Sequence, residues 1–84
     1  MAAPFGGHPT FAQYLDWAVK QGCKVQHGVD TELSINLTKI TAPSGRWVIE
    51  GGTRANDFLT PTAVGRLDRR LGLISPWFGL PLNS

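Results

Sequence analysis

The chain has 84 residues, a formal net charge of +2, 42% hydrophobic residues and 17% charged residues. This length provides one small domain, and the composition is that of a folded rather than a disordered protein. No run approaches the roughly 20 apolar residues that span a bilayer, and "MAAPFGGHP" has no signal-peptide pattern, so we expect a cytoplasmic protein with no membrane partner. A single cysteine, Cys23, cannot form an intramolecular disulfide.

The first predicted element is a helix at about residues 11–21, preceded by an N-terminal arm at 1–9. Thr10 and Gln13 form a T-x-x-Q capping box, in which each side chain can bond to the backbone of the other. Apolar residues then recur at helical spacing, and Gly22 provides a left-handed stop.

Period-two alternation after Gly22 predicts a hairpin with its turn at Gly28 to Asp30. The residues predicted on its buried face are Cys23, Val25, His27, Leu33, Ile35 and Leu37. The next apolar position, Ile40, is out of phase, which predicts a β-bulge near Thr38 or Lys39.

A turn at 42–45, "APSG", leads into a third strand, "RWVIE". The sequence predicts Trp47 and Ile49 facing inward, since an aromatic in a small domain usually belongs to the core, with Arg46, Val48 and Glu50 facing outward. The alternative places Trp47 on the open sheet face, where its indole could stack on a base.

A second helix begins at Thr60, a capping side chain, and Pro61, which is tolerated at the first helical position. Its apolar face is predicted to consist of Val64, Leu67 and Leu71, and it closes at Gly72. In the polar loop before it, Phe58 and Leu59 are predicted to enter the core.

These elements predict an α+β fold of order α-β-β-β-α, a three-stranded antiparallel meander with two helices packed on one face. The predicted domain covers residues 10–73, and an extended apolar tail follows at 74–84. The tail residues Trp77, Phe78 and Leu80 either fold back over the helices or remain exposed for a protein partner.

All of the excess positive charge lies in residues 43–84 and comes from arginine. Arg66, Arg69 and Arg70 have helical spacing and can face one partner together. They are interpreted as a solvated helix face, as a weak and salt-sensitive contact to RNA or DNA backbone, or as a contact to an acidic protein.

The order of elements and "LTPTAVGRLDRRLGL" resemble the double-stranded-RNA-binding-domain fold and its small variant, the HicA-type mRNA interferases, over residues 10–73. The resemblance implies the fold but no activity. The Gly-Ser-His of HicA-type proteins, which carries the catalytic histidine, is replaced by Gly28, Val29 and Asp30. The lysine cluster of double-stranded-RNA-binding domains is replaced by residues 61–64, "PTAV".

No catalytic set is predicted. Cys23 and His27 lie about 13 Å apart along a strand, too far for a hydrogen bond, and the two histidines and one cysteine match no zinc pattern. We therefore predict neither a metal nor another cofactor. The expected function is a non-catalytic binding module that contacts nucleic-acid backbone, or alternatively a protein-interaction module using the tail or the open sheet face. A third hypothesis is a diverged ribonuclease that uses His27.

Overall fold

The computed structural model describes residues 9–77, which fold as a helix, three strands and a second helix. The strands pair antiparallel in the order β1-β2-β3, which confirms the predicted α+β meander. The elements are α1 (Phe11–Lys20), β1 (Lys24–Asp30), β2 (Ile35–Thr41), β3 (Trp47–Gly51) and α2 (Pro61–Leu71). No helix in this part of the chain is long and apolar enough to cross a membrane.

Both helices pack on the same face of the sheet. Val25, Ile40 and Val48 form a row across the three strands, and this row points toward the helices. The fully buried helix residues that cover it are Phe11, Tyr14, Ala18, Val64, Leu67 and Leu71. The single core therefore joins both apolar helix stripes to one side of the sheet. The predicted buried face of the second hairpin strand was wrong: Leu33 is 68% exposed, and Ile35 and Leu37 lie on the open face with Lys39.

The start of α1 is bound to the loop that precedes α2. The predicted capping box is present, with the Thr10 N–H donating to Gln13 Oε1 at 2.8 Å and the Gln13 N–H donating to Thr10 Oγ1 at 3.1 Å. The next amide, that of Phe11, donates to the carbonyl of Asp57 at 2.8 Å. This bond satisfies a helix-terminal donor and fixes the loop beside α1.

The predicted helix caps of α2 are also present: Thr60 accepts from the Ala63 amide, and Gly72 has a φ of +70°. Of the two loop residues predicted to enter the core, only Leu59 does so. Phe58 is 69% exposed, because the chain is extended there and successive side chains point to opposite sides.

The predicted position of the first hairpin turn was wrong. β1 continues through Asp30, and the turn occupies residues 31–34. Asp30 Oδ1 accepts hydrogen bonds at 3.0 Å from the amides of Glu32 and Leu33, a side-chain bond pattern that stabilises turns. Strand pairing continues without interruption from Lys24–Thr41 to Asp30–Ile35, so the predicted β-bulge is absent from this ladder.

The predicted facing of β3 was also wrong. Val48 and Glu50 are 6% and 9% exposed and face the helices, while Trp47 and Ile49 are 54% and 48% exposed and lie on the open face. Arg46, predicted to face outward, instead reaches the end of α2. The misreading arose because both faces of β2 carry apolar residues, so alternation alone does not identify the buried face.

A buried carboxylate joins both helices to the segment after α2. Asp68 is 1% exposed, and its Oδ1 accepts from the Tyr14 hydroxyl at 2.5 Å. Its Oδ2 accepts from the backbone amide and the hydroxyl of Ser75 at 2.9 and 2.8 Å. These bonds offset the cost of burying the carboxylate and hold Ser75 against the core.

The part of the tail that the structure describes folds back. Trp77 is 6% exposed and its ring centroid lies 6.2 Å from that of Tyr14. This agrees with the folding-back interpretation for Trp77 and opposes its use as an exposed docking residue. Phe78 and Leu80, the other tail residues predicted to bind a partner, lie outside the described residues.

Tyr14 is the only tyrosine of the chain, so tyrosinate absorbance reports on it directly. Burial, reinforced by the hydrogen bond to Asp68, raises the pKa of Tyr14 above its ordinary range. We therefore expect no tyrosinate absorbance in the folded protein near pH 10, where a free phenol is half ionised. The neutral, buried phenol of Tyr14 therefore contributes fully to the free energy of unfolding below about pH 10. This contribution is lost as the pH rises beyond that value. An ultraviolet titration followed in parallel by circular dichroism should show ionisation only together with unfolding; ionisation of the folded protein near pH 10 would contradict the burial.

Candidate nucleic-acid interface

The structure separates the three arginines that the helical spacing grouped together. Arg66 Nη1 lies 2.5 Å from Glu50 Oε1, and the Glu50 side chain is only 10% exposed. This hydrogen bond raises the pKa of Arg66. Arg66 therefore neutralises a carboxylate that faces the helix side of the sheet, and it belongs to the structure of the domain rather than to a free basic surface.

Arg69 and Arg70 remain exposed in the last turn of α2. Their backbone carbonyls accept hydrogen bonds from the guanidinium of Arg46, at 2.9 and 3.1 Å respectively. A cation at this position satisfies terminal carbonyls and opposes the negative end of the helix dipole. The same contact brings the start of β3, and with it Trp47, next to the end of α2.

We expect Arg66 and Arg69 to differ sharply in their effect on stability. Arg66→Gln should lower the free energy of unfolding by about 1–3 kcal/mol, because the Glu50 carboxylate loses a charged partner in a buried position. Arg69→Gln, an identical change on an exposed side chain, should alter it by less than about 0.5 kcal/mol. Urea unfolding followed by circular dichroism measures both values, and equal losses would show that the Arg66 contact adds nothing.

Trp47 lies at one end of the open sheet face, where cations of the sheet and of the adjoining end of α2 lie beside it. Lys39 Nζ lies 5.0 Å from the ring centroid of Trp47, within the range of a cation–π contact. A groove of about 490 Å³ beside the indole is lined by Ser44, Gly45, Arg46, Trp47 and Arg70. We call Lys24, Lys39, Arg46, Trp47 and Arg70 the Trp47 surface; Lys24 belongs to it because it lies in the same cross-strand row as Trp47.

The acidic residues of the sheet lie away from this surface. Asp30 is at the far end of β1, six positions from Lys24, which corresponds to about 20 Å along a strand. Glu50 faces the opposite side and is paired with Arg66. The Trp47 surface is therefore locally positive although the net charge of the chain is only +2.

A polar cleft lies on the helix side of the sheet, at the edge formed by β1. It has a volume of about 240 Å³, and its polar lining residues are His27, Asn36, Thr38, Thr53 and Arg54. We call the cavity that these five residues line the His27 cleft. His27 is exposed, and its Nδ1 lies 3.4 Å from Thr38 Oγ1.

Cys23 is not one of the residues that line this cleft. Cys23 is 7% exposed, and burial raises the pKa of its thiol, which disfavours the nucleophilic thiolate. No group of three or more histidine, cysteine or acidic side chains in this range could hold a metal ion.

Two structural residues escaped the sequence analysis although signals for them were present. Asp68 lies four positions after Val64 and next to Leu67, so it falls on the apolar stripe of α2. A carboxylate at such a position indicates a buried, hydrogen-bonded group. Glu50 lies on the same face of β3 as Val48. Assigning Val48 to the helix side would therefore have assigned Glu50 to that side as well.

No protein-family model, curated protein or solved structure matches the chain. The resemblance to HicA-type and double-stranded-RNA-binding folds accordingly stays a prediction.

Proposed function

We propose that this chain is a non-catalytic nucleic-acid-binding module and that it binds through the Trp47 surface. The observation that carries this proposal is the half-exposed indole of Trp47 with Lys39 against its ring and Arg70 across the adjoining groove. An exposed indole offers a base a stacking partner, and the neighbouring cations suit the phosphates on either side of that base. Stacking of this kind requires an unpaired base.

The proposal changes the role of the helix-two arginines. Arg70 contributes directly because it lines the groove beside Trp47, and Arg69 adds positive charge in the same helical turn. Arg66 does not contribute because it is paired with Glu50. The arrangement favours weak, salt-dependent binding in which stacking supplies part of the free energy.

Removal of the indole provides the most direct test. Trp47→Ala should weaken binding of a fluorescent single-stranded RNA of about 12 nucleotides by about 5- to 150-fold, equivalent to roughly 1–3 kcal/mol for one stacked base. Trp47→Phe should retain most of the affinity, because it keeps an aromatic face. Fluorescence anisotropy at low salt measures these values.

Ile74→Ala is the matched control for this experiment, since Ile74 is 82% exposed and is not part of the Trp47 surface. It should leave the affinity unchanged. An affinity that is the same in the native protein and in Trp47→Ala would refute the proposed function.

The salt dependence of the same reaction tests the cations. If Lys24, Lys39 and Arg70 each neutralise one phosphate, the slope of log K against log salt should be about −2 for single-stranded nucleic acid. Arg70→Gln should make this slope less negative by about 0.7. Lys20→Gln is the control, because Lys20 is also an exposed cation and lies on α1, paired with Asp16. A slope that Arg70→Gln does not alter would exclude Arg70 from the interface.

A protein partner on the same face is the second candidate. It is favoured by Ile49, which lies beside Trp47 and is 48% exposed, since exposed apolar groups that adjoin one another mark partner surfaces. If nucleic acid does not bind the native protein at low salt, a protein partner becomes the favoured candidate.

A further inference from the structure

Two depressions of the surface meet at one glycine on the edge of the sheet. The first is the His27 cleft on the helix side. The second lies on the open face, has a volume of about 300 Å³ and is lined by Gln26, His27, Gly28, Leu37, Lys39 and Ile49. Both are lined by His27, Gly28 and Leu37, so the two depressions lie on either side of the same segment of the β1 edge.

The backbone between the two depressions is uncovered on the open face, because Gly28 has no side chain. A Cβ added at this position would have no heavy atom within 4 Å beyond its chain neighbours, so the space above the backbone is empty. β1 pairs only with β2 within the described sheet, so Gly28 lies on a free edge. We call this uncovered piece of edge backbone the Gly28 notch.

The notch is continuous with the Trp47 surface. Lys39 lines the open-face depression and also lies against the Trp47 ring, and Ile49 occupies the space between the two. Gln26 provides a polar amide at the rim of the depression. A nucleic-acid strand that runs from the Trp47 indole toward β1 therefore passes the ammonium group of Lys39, then the apolar side chains of Ile49 and Leu37, and then the Gly28 notch.

The His27 cleft has the chemistry of a phosphate site. Arg54 lines it, and among residues 9–77 its guanidinium makes no hydrogen bond or ion pair. Its backbone amide donates to Asp57 Oδ2 at 2.9 Å, and its carbonyl accepts from the Asp57 amide at 3.0 Å. His27 and Thr53 line the same cleft; the Thr53 hydroxyl donates to Glu50 Oε2 at 3.4 Å, so the further donor is a ring N–H of His27. Arginine binds phosphate through paired hydrogen bonds. Two carboxylates contact residues of this cleft, and both have partners: Glu50 is paired with Arg66, and Asp57 accepts from the Arg54 amide.

We propose that the nucleic acid bound at Trp47 is a single strand that crosses the β1 edge through the Gly28 notch and places a phosphate in the His27 cleft, between His27 and Arg54. The inference rests on the proposed function and extends it by naming the substrate class and the path of the strand. A duplex cannot follow this path, because its persistence length of about 150 base pairs prevents a sharp turn around one strand of a sheet. A flexible single strand can.

The experiment compares labelled single-stranded oligonucleotides of about 4 and about 12 nucleotides, the range of site sizes for small single-strand-binding folds. The short one should occupy the Trp47 surface alone, and the long one should reach the cleft as well. Arg54→Gln should weaken binding of the long oligonucleotide by about tenfold, by the loss of one charged hydrogen-bonding group, and should not alter binding of the short one. Lys20→Gln is the matched control and should alter neither.

Gly28→Val tests the path independently. The added Cβ meets no heavy atom within 4 Å beyond its chain neighbours, and valine is favoured in strands, so the variant should fold with a side chain standing over the notch. It should reproduce the selective loss for the long oligonucleotide. In NMR spectra of the native protein, the amide signals of Thr53 and Arg54 should shift with the long oligonucleotide only.

The outcomes separate the two proposals. If Trp47→Ala weakens both oligonucleotides while Arg54→Gln and Gly28→Val leave the long one unaffected, the path is wrong and the proposed function stands. If Trp47→Ala weakens neither, the proposed function itself fails. Binding of a duplex as tightly as the long single strand would also overturn the inference.

Discussion

The burial of Ile40 and Val48 beneath the two helices determines the facing of the whole sheet. Successive strand residues point to opposite sides, so once this pair faces the core, Lys39 and Trp47 must face away from it. The same alternation brings Glu50 to the helix side, where Arg66 pairs with it. The position of the Trp47 surface and the pairing of Arg66 with Glu50 therefore both follow from the burial of Ile40 and Val48.

Local sequence was sufficient for the elements whose signals are local. The capping box at Thr10, the Thr60-Pro61 start and the left-handed Gly72 each act within a few residues, and each was correctly predicted. The first turn was misplaced because a glycine, Gly28, lies inside the strand, while the true turn at 31–34 is closed by the Asp30 side chain. Gly28 thus lies within the paired edge strand β1 and not at a reversal of the chain direction.

The candidate site was less accessible from sequence because it depends on contacts between distant segments. Arg66 and Glu50 are 16 positions apart, and Arg46 bonds to carbonyls 23 and 24 positions further along. Helical spacing alone grouped Arg66 with Arg69 and Arg70, since it contains no information on what lies across from each side chain. The facing of Trp47 required knowledge of which apolar side of β2 the helices cover.

The bond between Tyr14 and Asp68 spans 54 positions, and the same carboxylate also accepts from Ser75. During synthesis from the N-terminus, Tyr14 of α1 can therefore form its hydrogen bond to Asp68 only after α2 has left the ribosome. The two hairpins depend on nearer pairings and are available earlier, so we expect the sheet to form first and the docking of α1 to complete the fold. Until then the part of the apolar stripe of α1 that packs on α2 and on Trp77 has no cover, which makes the emerging chain a natural client for chaperones that bind exposed apolar segments.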